Sequence, residues 1–115
     1  MGLKMTEEHP LVIEYKKTIP SKLENLRNSV EAVKKQKDLF TFEAFRRDVH
    51  KLAGSAGTYG FTTVSDICKN LDLDLKEKIQ NFQIEPIPQS WYQNLDVILI
   101  KLAQAFEKPD LLIRF

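Results

Sequence analysis

Hydrophobic residues recur every three or four positions along nearly the whole chain, the period of an amphipathic helix. A short first helix is predicted from Pro10 through Tyr15 to about Thr18, with Pro10 suited to a first turn. A second is predicted after Pro20, where Ser21 and Glu24 have the spacing of a capping box. Its apolar stripe is Leu23, Leu26, Val30 and Val33, and a polar break follows at Gln36, Lys37 and Asp38. The third carries Phe42, Phe45, Val49, Leu52, Ala56 and Tyr59 and stops near Gly60, a residue suited to a left-handed cap. The fourth is expected to begin after Thr62 as N-cap, with the stripe Val64, Ile67, Cys68, Leu71, Leu75, Ile79 and Phe82. Pro86 and Pro88 fill the next turn. The fifth carries Tyr92, Leu95, Ile98, Leu99, Leu102 and Phe106 and ends before Pro109.

Neither strand alternation nor a hairpin dipeptide interrupts this pattern. The expected fold is therefore all-α: an antiparallel up-down four-helix bundle with a short extra N-terminal helix over one end. Only a tight turn joins the third segment to the fourth, so those two must be antiparallel neighbours. The 115 residues are enough for a single domain, expected to span 1–115.

Composition narrows the function. Seventeen Lys and Arg against sixteen Asp and Glu leave a net charge of +1, which argues against nucleic acid as a main partner. A single cysteine, Cys68, excludes an intrachain disulfide framework. With two histidines, His9 and His50, and no cysteine pair, no metal site is expected. The chain holds no apolar run of about 18 residues, and its first residues lack the apolar core of a signal peptide. A cytoplasmic protein without membrane partner or cofactor is the expectation.

Candidate chemistry gathers on the third helical segment. With His50 at zero on a wheel of roughly 100° per residue, the apolar positions average about 130° away, so the imidazole faces outward. Gly54 and Gly57 lie within roughly 40° of it and Ala53 within roughly 60°. Glycine inside a helix costs about 1 kcal/mol relative to alanine. Two glycines beside one exposed ring are explained if they clear room for a second protein surface to reach its nitrogen. Arg46, Arg47 and Lys51 surround the same position. They make a further positive charge on the ring unfavourable, and they suit an anion attached to it. The neutral ring keeps the lone pair that a nucleophile needs.

The run His50-Lys51-Leu52-Ala53-Gly54-Ser55-Ala56-Gly57-Thr58-Tyr59-Gly60-Phe61 resembles the motif of histidine phosphotransfer (HPt) domains, His-x-Leu-Lys-Gly-Ser-Ala followed by a glycine turn. The resemblance implies a phosphorelay intermediate. His50 would accept a phosphoryl group from the phosphoaspartate of a receiver domain through Nε2 and pass it to another receiver. It also implies sensor or hybrid histidine kinases upstream, a receiver that brings its own Mg²⁺, and a monomer that is not itself an enzyme. The family often has lysine where this chain has Ala53. Lys51, then Arg46 and Arg47, are the cations expected to contact the phosphoryl group or the partner, with Ala53, Gly54 and Gly57 forming the contact patch.

Other readings are weaker. A docking module with an inert histidine would be expected to lack that histidine or to block it with bulky residues, and this chain does neither. A dimeric kinase core needs an ATP-binding domain that 115 residues cannot also hold. Gly54-x-x-Gly57-x-x-Gly60 matches no nucleotide loop and follows no strand. Ser55 and Asp48 point away from His50, so no Ser-His-Asp triad is expected. Cys68 reads as core, His9 as an N-terminal surface residue and Trp91 as a partly exposed end-cap.

Overall fold

Four helices make up most of residues 9–108, the part of the chain that the computed structural model describes. They are α1 (Pro10–Gln36), α2 (Leu39–Thr58), α3 (Thr62–Gln80) and α4 (Gln89–Glu107). The separate N-terminal helix expected before Pro20 does not exist. Its residues are the first turns of α1, which runs on through Pro20. The reason is a single buried stripe. Val12 and Tyr15 continue through the half-buried Ile19 and Leu23 into Leu26, Val30 and Val33, at spacings of threes and fours throughout. Ser21 and Glu24 consequently lie inside a helix and cap nothing; Glu24 pairs instead with Arg27. His9 is the N-cap, its Nδ1 accepting from the backbone N–H of Leu11 at 3.2 Å.

Proline in a helix interior removes one donor from the ladder and costs about 3 kcal/mol. Burial before it offsets this. Val12 is fully buried, which contributes about 1.5–3 kcal/mol for such a side chain. Tyr15 stacks on Tyr59 with ring centroids 4.5 Å apart and shares a 2.9 Å hydrogen bond with Ser55. Pro20 itself is exposed, so Pro20→Ala removes no core contact. That substitution is expected to stabilise the protein by about 2 kcal/mol, the interior penalty less the entropy proline removes from the unfolded chain. A urea midpoint that does not rise would show that α1 already accommodates the ring without loss.

The connections are tight. Lys37 takes a left-handed conformation (φ 50°) to end α1. Asp38 then opens α2, its carboxylate accepting from the Thr41 N–H at 2.9 Å. Between α2 and α3, Gly60 has φ 89°, which favours glycine. The residue that precedes α3 is Phe61 and not Thr62, and no side chain caps that helix. Phe61 instead anchors its start by burying the ring and by a 2.8 Å bond from its N–H to the Ala56 carbonyl.

Contacts between helices pair the start of each with the end of its neighbour. Tyr15 meets Ser55 and Ser29 meets Asp48 across α1 and α2. Ala53 meets Ser65 and Arg46 meets Asp72 across α2 and α3. Asp74 meets Trp91 across α3 and α4, and Lys34 meets Asp96 across α1 and α4. Adjacent helices therefore run in opposite directions around one core. Aromatic clusters fill both ends of it: Phe42, Phe82, Trp91 and Tyr92 at one, Tyr15, Tyr59, Phe61 and Phe106 at the other. The stretch of α2 between them packs with the smaller Val49, Leu52, Ala53 and Ala56, and His50 stands on its outer side. No described helix is long and apolar enough to cross a membrane.

Candidate functional site

The core positions Val49 and Leu52 rotate His50 out of the bundle, and its side chain is 75% exposed. One turn on, a Cβ built at Gly54 would meet nothing within 4 Å. The ring thus stands beside bare backbone and is open to approach from that side.

The other two small residues of the expected patch have different surroundings. Ala53 is buried in the α2–α3 interface, 7% exposed, and its carbonyl accepts from the Ser65 hydroxyl at 2.7 Å. A Cβ at Gly57 would stand 3.1 Å from the Ser65 Oγ. The wheel places both near His50, but it carries no information on the neighbouring helix. The small side chains at 53 and 57 let α3 approach, and the open ground beside the ring is at Gly54.

Sequence reasoning missed Asp72 on α3. Its Oδ2 lies 3.2 Å from His50 Nδ1, and its Oδ1 accepts from Arg46 Nε at 3.0 Å. The Asp72 side chain is only 16% exposed. Desolvation between the helices pushes its carboxyl up, but the hydrogen bonds from His50 and Arg46, with their charges, outweigh that and hold it below the usual carboxylate range. Arg46 is therefore engaged with Asp72, the residue that meets the ring at Nδ1.

Arg47 and Lys51 are exposed, and no described ion pair uses either. Both line an open depression of about 500 Å³ beside His50, with Glu43, Arg46 and Ile79. Lys51 also borders a second groove, of about 290 Å³, between α1 and α2. It is thus the α2 cation free to turn toward either side of the helix.

The remaining motif residues serve packing. Ser55 is tied to Tyr15, and Asp48 accepts from Ser29 at 2.8 Å, so neither forms a catalytic set with His50. Cys68 is fully buried, and burial pushes its thiol up to about 12. Trp91 is half-buried, stacked on Phe42 and donating to Asp74 at 2.7 Å. Among the described residues no cluster of His, Cys, Asp and Glu could hold a metal ion.

Comparison with known proteins agrees with this geometry. No curated protein and no solved structure gives a significant match. The model of the Hpt domain family matches residues 10–107, the whole of the four-helix bundle. Members of that family are phosphotransfer intermediates in phosphorelays, working with components such as receiver domains, and are not enzymes in the usual sense. A four-helix protein presenting one open histidine beside bare glycine backbone, matched over nearly its full length, belongs to the Hpt domain family.

Proposed function

We propose that His50 is the phosphoacceptor. It takes a phosphoryl group from the phosphoaspartate of one receiver domain and passes it to a second, within a relay fed by a sensor or hybrid histidine kinase. The observation that carries this reading is the exposed imidazole beside the open face of Gly54. A receiver's active-site pocket can descend on Nε2 there, while Nδ1 is engaged with Asp72. Transfer between two such groups depends on alignment and charge compensation. The receiver contributes its acidic pocket and Mg²⁺, and this chain contributes the nucleophile and nearby cations. In this reading residues 1–115 act as one cytoplasmic, monomeric domain.

Incubation with a receiver phosphorylated at aspartate should place an acid-labile, alkali-stable label on this chain, and a second unphosphorylated receiver should remove it. Failure of the label to appear with every receiver tried would leave only a docking role. The cations can be ranked in the same assay. Exposed charge interactions contribute about 0.2–1 kcal/mol each. Lys51→Ala should therefore slow transfer by a few-fold at most, Arg47→Ala by less, and the double variant by more than either. Three rates equal to wild type would assign charge compensation to the receiver alone.

A further inference from the structure

We propose that the groove between α1 and α2 is a binding site for a small organic dianion, a short dicarboxylate, held between Lys22 and Lys51. The binding itself stands on the groove alone. Its consequence for transfer, the withdrawal of Lys51 from the His50 side of α2, rests on His50 being the phosphoacceptor.

The register of the two helices places these lysines face to face. Tyr15 meets Ser55 and Ser29 meets Asp48. Lys22 lies midway between the first pair and the second on α1, and Lys51 does so on α2, on opposite walls of the groove of about 290 Å³. Leu26 and Leu52, both buried, form its apolar lining. Lys22 is half-buried and held in place before any ligand arrives. Its Nζ donates to Thr18 Oγ1 at 2.9 Å and stands 5.1 Å from the centre of the Tyr15 ring, over its face. The Thr18 hydroxyl gives its own proton to the Tyr15 carbonyl at 2.6 Å and so acts as the acceptor for the ammonium. Neither contact neutralises the charge. No described ion pair uses Lys22 or Lys51, and an ammonium has three donors, so Lys22 keeps donors for a ligand.

These features select the ligand class. Positive charges on facing walls call for negative charge on both sides of the ligand. The apolar lining between them calls for hydrocarbon between those charges, which a short methylene chain joining two carboxylates supplies. The volume suits such a molecule, at the lower end of small-ligand sites, roughly 300 Å³. Inorganic phosphate has the charge but nothing to lay on Leu26 and Leu52. Asp48 also lines the groove, one turn before Lys51, and its carboxylate repels anions, which confines the ligand to the lysine end. Asn25, exposed on α1, adds an amide donor at the rim. Binding reaches the transfer site through one side chain, because Lys51 also lines the depression beside His50. Lys51 cannot neutralise a dianion in the groove and a phosphoryl group on His50 at once. A bound dicarboxylate therefore acts on transfer as Lys51→Ala does, slowing it by a few-fold at most.

The test separates binding from transfer. ¹H–¹⁵N spectra of the unphosphorylated protein are recorded at neutral pH and constant ionic strength during titration with succinate, with butyrate and inorganic phosphate as comparisons. Succinate should give saturable shifts centred on Lys22, Leu26, Lys51 and Leu52, and butyrate and phosphate should bind several-fold more weakly. Lys22→Gln and Lys51→Gln should each weaken succinate by about three- to fivefold, the upper range for one exposed ion pair. Saturating succinate should slow labelling of the wild-type chain by a phosphorylated receiver and leave the rate of Lys51→Gln unchanged. Equal binding of succinate and phosphate, shifts spread over every cationic surface, or unchanged affinity in Lys22→Gln overturns the site. So does a Lys22→Gln chain that docks a receiver poorly while no small anion binds the wild type, since the groove then belongs to the receiver's footprint. Saturable succinate binding with an unchanged wild-type transfer rate overturns the coupling through Lys51. A chain that binds succinate but takes no label from any receiver overturns the reading of His50, and the coupling with it, while the groove site stands.

Discussion

Replacing His50 by glutamine is expected to abolish labelling by a phosphorylated receiver. Glutamine keeps polarity and approximate length but has no nitrogen lone pair able to attack phosphorus, since its amide nitrogen is conjugated to the carbonyl. Folding should be unaffected. The side chain is 75% exposed, and substitutions at such positions usually change stability by no more than about 0.5 kcal/mol. Asp72 loses one partner but keeps Arg46, so no buried charge is stranded. The control is His9→Gln. His9 caps α1 at the N-terminus through Nδ1, a structural role, and its loss should leave labelling intact. Acid-labile label persisting on His50→Gln at the wild-type level would move the acceptor elsewhere in the chain.

The parts of this site legible from sequence are those set by a single helix. The stripe through Val49, Leu52 and Ala56 fixes which way α2 turns, and hence that His50 points outward. The outward position follows from the 3.6-residue period alone. What lies across from α2 depends on its register with α3, which no one-helix wheel contains. Asp72 illustrates this. It sits in the run Leu71-Asp72-Leu73-Asp74-Leu75, where Asp74 is an equally good acidic candidate. The packing of Ser65 under Ala53 decides between them: Asp72 reaches His50, and Asp74 reaches Trp91 and Lys78 at the end of the bundle. The break expected at Pro20, which α1 does not have, arises from a different cause. A local signal, proline followed by Ser-x-x-Glu, was in conflict with a longer one, the stripe from Val12 to Val33. Tertiary burial of Val12 and Tyr15 outweighed the local signal.

The two glycines of α2 should separate access from packing, since the structure gives them different neighbours. Gly54→Leu adds a side chain over open ground and replaces a poor helix former with a good one. It should stabilise the fold by about 0.5–1 kcal/mol. The same side chain would stand one turn from His50, in the path of a receiver approaching Nε2. Small misplacements of reacting groups are costly in rate, so transfer should fall by roughly ten- to hundred-fold. Gly57→Leu meets Ser65, whose Oγ would lie 3.1 Å from the new Cβ and is itself held by the Ala53 carbonyl at 2.7 Å. Ser65 is buried and cannot swing into solvent. Overpacking of this kind costs typically 1–3 kcal/mol, more than the gain in helix propensity returns. Gly57→Leu should therefore lower the urea midpoint, and the molecules that remain folded should transfer faster than Gly54→Leu. The pair makes the assignment decidable: a variant more stable than wild type and nearly silent in transfer, beside one less stable and more active. Wild-type transfer by Gly54→Leu would show that the receiver reaches Nε2 from another side, across the depression lined by Arg47 and Lys51.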